Sequence, residues 1–180
     1  MPGRLFQGLL TANLVILCAD LTSAHATGPG EKQVAASLGG VLVGDGDRAR
    51  PGMQAGIEAA IGVTDAWAGR AGVSSSWQPS PAPGGPRHVS ALSLGMTYAI
   101  DVVRWVPFLD LGLSLADLRG NGANSQRLGP QVGLGVEYLL SPRWTLAALA
   151  RFDYFALRLR ESGGTRPWWA SAGLRLARVF

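Results

Sequence analysis

The sequence predicts an all-β protein: an eight-stranded antiparallel up-and-down β-barrel that crosses a membrane, preceded by a cleavable signal peptide. Three observations predict it. Apolar side chains recur with a period of two through eight segments, the alternation of a strand with two different faces. Each segment runs for about 10–13 residues, near the ~9–11 that a tilted strand needs to cross a bilayer. The rows opposite the apolar ones are rich in Gly, Ala, Ser and Thr rather than in long charged side chains. Small residues suit the crowded inside of a narrow barrel.

Composition agrees. Gly supplies 25 of 180 residues, well above the roughly 7% of ordinary proteins. Charged residues are 16% against a usual ~25%. One Cys excludes a disulfide scaffold. Two His without a His/Cys cluster argue against a metal site, and no cofactor is expected.

The amino terminus comes first in the chain. Arg4 precedes an uncharged stretch from Leu5 to Ala19, and Ser23-Ala24-His25-Ala26 offers small residues before a cut. This is the layout of an export signal. It is interrupted by Thr11 and Asn13 and is short for a transmembrane helix. The expectation is a signal peptide over 1–26 and a barrel over 27–180.

The first four strands are read as follows. Over Gln33–Val43, Val34, Ala36, Leu38 and Leu42 share a face. Over Met53–Val63, Met53, Ile57, Ile61 and Val63 oppose Gln54, Gly56, Glu58 and Gly62. Over Trp67–Gln78, Trp67, Ala71, Val73 and Trp77 oppose Arg70, Gly72, Ser74 and Ser76. Over His88–Ile100, Leu92, Leu94, Met96 and Tyr98 oppose Ala91, Ser93, Gly95 and Thr97.

The second four repeat the scheme. Over Val106–Ala116, Leu109, Leu111, Leu113 and Leu115 oppose Asp110, Gly112 and Ser114. Over Leu128–Leu140, Val132, Leu134, Val136 and Tyr138 oppose Gln131, Gly133, Gly135 and Glu137. Over Trp144–Leu157, Leu146, Ala148, Ala150, Phe152 and Tyr154 oppose Thr145, Arg151 and Asp153. Over Trp168–Phe180, Ala170, Ala172, Leu174 and Leu176 oppose Ser171, Gly173 and Arg175, with Arg178 breaking the apolar row at a membrane interface.

Tight connections at 64–66, 101–105 and 141–143 alternate with longer ones at 44–52, 79–87, 117–127 and 158–167. Short turns at one end and longer loops at the other are the plan of an outer-membrane barrel. Trp67, Tyr98, Trp105, Tyr138, Trp144 and Phe180 fall at the turn end, and Trp77, Phe152, Tyr154 and Trp168 nearer the loop end. Aromatic rings at both boundaries form the girdles of such barrels.

The pattern resembles the OmpA/OmpX-like eight-stranded outer-membrane barrels over essentially all of residues 27–180. Val106-Pro107-Phe108 leading into Leu111-Gly112-Leu113 carries the likeness, as does Gly133-Leu134-Gly135-Val136-Glu137-Tyr138 before Ser141-Pro142-Arg143. The terminal stretch Gly173–Phe180 is similar to the strand such proteins offer to the barrel-assembly machinery. The resemblance implies an outer-membrane location, that machinery as a partner, Phe180 as an assembly signal, and outer-membrane lipid and lipopolysaccharide as surroundings. Arg178 departs from the family's usual apolar or aromatic residue. A monomer is expected.

Two groups of residues are candidates for function. The inward rows carry Glu58, Arg70, Asp110, Glu137, Arg151, Asp153 and Arg175. Unpaired buried charge is costly, so these predict a paired network that fills the lumen and leaves no large open pore. The longer connections carry Arg48, Arg50, Arg87, Arg119, Arg127, Arg158, Arg160 and Arg166 against Asp45, Asp47, Asp117 and Glu161. Arginine bonds phosphate in bidentate fashion, so this end is a candidate contact for lipopolysaccharide or another anionic surface polymer. Nucleic acid is not an expected partner, because no stacking platforms accompany the arginines.

Two alternatives are weighed. His88-Val89-Ser90 is similar to the His-x-Ser of outer-membrane lipid A deacylases, but Val102 stands where that family carries its acid. Without a carboxylate to orient the His, the expectation is no catalysis. A soluble lipocalin-type periplasmic barrel would instead turn the apolar rows inward around a ligand.

Overall fold

The computed structural model describes residues 28–45, 48–79, 87–100, 104–120, 123–160 and 168–180. The signal peptide assigned to 1–26 lies outside them, as does Arg166. Nine strand segments follow in order: β1 (Lys32–Asp45), β2 (Arg48–Gly62), β3 (Trp67–Gln78), β4 (Arg87–Ala99), β5 (Trp105–Gly120), β6 (Ala123–Ser141), β7 (Trp144–Tyr154), β8 (Leu157–Arg160) and β9 (Trp168–Val179).

Consecutive strands pair antiparallel from β1 to β7, and β7 pairs with β9. The ring is closed by β1 against β9, in register from Gln33↔Val179 to Gly44↔Trp168. Closure pairs the backbone N–H and C=O groups that an open edge would expose to lipid.

One predicted strand is interrupted. The reading of Trp144–Leu157 as continuous gives way to β7 and β8, a single stave of the barrel broken at Phe155 and Ala156. The Ala156 N–H donates to the Tyr154 carbonyl at 3.0 Å, a tight kink. It sends Phe155 into the lumen, where it is buried. The neighbouring strand gives room with Gly129, where a Cβ would sit 2.0 Å from the Tyr154 carbonyl oxygen.

The strands also run further than the alternation implied. Asp45 pairs with Arg48, and Gly120 pairs with Ala123. The connections read at 44–52 and 117–127 are therefore mostly strand. Polar residues continue the ladder there, because backbone pairing needs no apolar face once the chain has left the lipid.

The faces sort as a membrane requires. Leu38, Met53, Leu94 and Leu134 each lie more than half exposed on the outside. Glu58, Asp110, Glu137 and Arg175 are buried inside. A lipocalin arrangement, with the apolar rows inward, is excluded. Trp67–Tyr98 and Trp105–Tyr138 stack across strands at the turn end, with ring centroids 4.9 and 4.7 Å apart. Phe152–Trp168 stacks at the loop end.

The lumen is not small and polar throughout, as the rows suggested. It is layered. Ala99, Val106, Phe108 and Ala147 form an apolar layer at the turn end. Val41, Val43, Val89, Ala91, Ala116, Phe155 and Trp169 form a second at the loop end. The charged residues lie between the two.

Candidate functional site

The central layer is built from inward positions of six strands. Glu58 on β2 is the hub. It accepts from Arg70 of β3 at 2.9 Å, from Arg151 of β7 at 2.5 Å and from Arg175 of β9 at 2.9 Å. Asp110 of β5 takes Arg70 at 3.1 Å and Arg151 at 3.4 Å, and accepts the Thr97 hydroxyl at 2.6 Å. Glu137 of β6 takes the other Nη of Arg175 at 2.7 Å and a bond from Gln33. The structure thus joins six of the seven predicted lumen residues into one ion-paired cluster.

Asp153 stands apart. It is buried and accepts from Gln131 Nε2 at 2.9 Å, and it forms no ion pair among the described residues. Gln131 links it to the cluster, since its Oε1 accepts from Arg70 at 2.9 Å. Gln131 and Thr97 are connecting residues that a charge count could not reveal. Both lie on inward rows, which was the only signal available. The guanidinium of Arg175 also lies over the Phe108 ring, 4.6 Å from its centroid, tying the ionic layer to the apolar layer below.

Little space remains. Two cavities of about 20 Å³ each flank the cluster, the first lined by Gln54, Ser93, Ser114, Gln131 and Asp153 and the second by Gln33, Thr97, Phe108 and Glu137. A single water needs about 10–15 Å³ of such volume. Each void therefore has room for about one water and not for a hydrated solute. The arrangement holds charge in place.

The loop-end arginines are differently placed from the reading of them as loop residues. Arg48 and Arg50 belong to β2, Arg87 to β4, Arg119 to β5, Arg127 to β6, and Arg158 and Arg160 to β8. Arg127 is buried, so it is no surface contact. Arg50 is half-buried.

His88 is engaged, but not with Ser90. Its Nε2 is 2.6 Å from the hydroxyl of Ser75 on the neighbouring strand, and its ring lies 5.8 Å from that of Trp77. Ser90 sits between Ser75 and Asp117 in the ladder. Asp117 is a carboxylate beside the pair that spacing along the chain did not reveal, because the partner strand brings it there.

No family model and no curated protein matches this sequence. Solved structures do. Neisserial surface protein A aligns with a TM-score of 0.68 at 19% identity, over 81% of this chain and 97% of that one. Ail, the attachment invasion locus protein of Yersinia pestis, aligns at 0.61 and 9% identity, over 84% and 99%. The outer-membrane enzyme PagL aligns at 0.50 and 15% identity, over 81% and 97%. The chain has the fold of the OmpA/OmpX-like eight-stranded outer-membrane barrels. A closed antiparallel barrel with an apolar outer band is the form in which β-proteins span outer membranes, and this chain has both features. Because an enzyme shares the fold, the fold alone does not decide activity.

Proposed function

We propose that this protein is a non-catalytic, non-conducting outer-membrane barrel whose loop end contacts lipopolysaccharide or another anionic surface polymer. The layered lumen carries the reading. Three arginines converge on Glu58 between two apolar layers, and this plugged interior supports a barrel that neither conducts nor catalyses. Outside, His88 spends Nε2 on Ser75, a hydroxyl of the neighbouring strand rather than Ser90. Purified protein in planar bilayers is expected to give no large, steady currents, and the same preparation to release no fatty acid from lipid A. Sustained open-channel currents would overturn the first half of this statement, and release abolished by Ser90→Ala the second.

The surface contact rests on the excess of arginine over acid at the loop end. Ail, which shares the fold, has been crystallised with the heparin analogue sucrose octasulfate, a polyanion. Changing Arg158, Arg160 and Arg166 together to Gln should weaken lipopolysaccharide binding by about tenfold or more, since charge-assisted bonds to phosphate contribute about 1.5–3 kcal/mol each. An unchanged titration with a correctly folded triple variant would remove this end as the contact.

A further inference from the structure

The turn end carries a feature that the apolar band does not explain. Arg178 lies on the outward row of β9, two residues beyond Leu176, where the lipid-facing surface meets the girdle. Its ladder partners are Trp144 on β7 and Val34 on β1. The guanidinium lies 4.9 Å from the centroid of the Phe180 ring and 5.9 Å from that of Trp144. Its Nε is buried without a hydrogen-bond partner. No ion pair to Arg178 exists among the described residues. Five other outward positions at this rim are aromatic: Trp67, Tyr98, Trp105, Tyr138 and Trp144.

Two more cations stand beside it. Arg143 is exposed in the turn before β7, and its carbonyl accepts the Val179 N–H at 3.0 Å, which fixes the turn next to Arg178. Lys32, exposed on β1, exchanges backbone bonds with Phe180. Neither is ion-paired among the described residues. Three cations and two rings thus share one corner of the rim, where β7, β9 and β1 meet.

Charge facing lipid is costly, and the cost falls steeply toward the headgroups. A guanidinium held between rings keeps little freedom to lose on binding, and its fork matches phosphate oxygens. The abundant anion at that depth is the phosphate of a phospholipid. We propose that Arg178, Arg143 and Lys32, framed by Trp144 and Phe180, form a site for the headgroup of an anionic glycerophospholipid in the leaflet at the turn end. The headgroup supplies the anion that the protein withholds, and its acyl chains lie along the outward face of β7 and β9, over Leu146, Leu174 and Leu176. This site is at the opposite end of the barrel from the arginines of the proposed surface contact, so the two stand or fall separately.

Native mass spectrometry of the detergent-purified full chain with added phosphatidylglycerol tests it. Wild type is expected to retain one phosphatidylglycerol through delipidation, in preference to phosphatidylcholine, and inorganic phosphate should not displace it. Arg178→Gln should lower retention about tenfold while keeping the heat-modifiable mobility of a folded barrel. Arg178→Lys should be intermediate, because it keeps the charge and loses the fork. Arg104→Gln, another exposed rim arginine but one whose guanidinium lies over no ring among the described residues, should match wild type. Equal retention by wild type and Arg178→Gln would overturn the site, as would an equal loss in Arg104→Gln, which would mean general rim charge. Should Arg178→Gln fail to fold, Trp144→Leu replaces it: loss of retention in a folded Trp144→Leu barrel supports the frame, and full retention sinks it.

Discussion

Glu58→Ala is expected to lower the stability of the barrel by about 3–5 kcal/mol, the range for breaking a buried ion pair on one side. The geometry says which partner suffers. Arg175 keeps Glu137 at 2.7 Å, and Arg70 keeps Asp110 at 3.1 Å and Gln131 at 2.9 Å. Arg151 keeps only Asp110, at 3.4 Å. The uncompensated charge is therefore on Arg151, and Arg151→Met in the Glu58→Ala background should recover part of the loss. Urea unfolding of the barrel reconstituted in lipid vesicles measures both, with the coupling taken from the double-mutant cycle. Asp153→Asn provides the contrast. That carboxylate has a hydrogen bond from Gln131 and no ion pair among the described residues, so the change should stay near 1 kcal/mol or below. Equal effects at Glu58 and Asp153 would mean that lumen charge matters only in bulk and that the cluster has no hub.

That contrast marks how far the sequence could be read. Alternation assigned Glu58, Arg70, Asp110, Glu137, Arg151, Asp153 and Arg175 to one side, because a period of two is fixed by strand geometry alone. Which of them would touch was not legible. Arg175 reaches Glu58 across 117 residues of chain, and only ring closure and register bring them together. The same holds for Asp117, which the β4–β5 ladder sets opposite Ser90. The apolar layers were missed for another reason. Val41, Val43, Phe155 and Trp169 lie at strand ends and beside the kink, where the alternation is too short or too broken to assign a face. The hairpin between β5 and β6 did carry a signal. Asn-Gly at 121–122 is, as a sequence, a dipeptide that favours a tight two-residue turn, and it falls between the paired Gly120 and Ala123. Reading that span as a loop overlooked it.

Gly95→Val is expected to prevent folding altogether. Gly95 pairs with Gly112 across β4 and β5, and both face the lumen. A Cβ on Gly95 would lie 2.3 Å from the Leu111 carbonyl oxygen and 2.8 Å from the Cα of Gly112, and a Cβ on Gly112 would meet Leu94 and Gly95 in the same way. These obstacles are backbone, so no rotamer change relieves them, and the cost should exceed the ~1–3 kcal/mol of ordinary overpacking. Gly39 and Gly173 repeat the arrangement across β1 and β9. Going round the ring, four strands separate the β9–β1 seam from the β4–β5 seam on one side and four on the other. The two glycine pairs therefore stand diametrically opposite. The same approach recurs at other inward glycines: a Cβ on Gly52 of β2 would lie 2.4 Å from the Trp77 carbonyl oxygen, and one on Gly135 of β6 2.5 Å from that of Ala148, so glycines let neighbouring strands close up at several seams of the lumen. Gly40→Ala, on the outward row with nothing within 4 Å of an added Cβ, should leave heat-modifiable mobility on gels as in wild type, whereas Gly95→Val and Gly173→Val should lose the folded band. A folded Gly95→Val barrel would show that the close approach of β4 and β5 does not depend on this glycine.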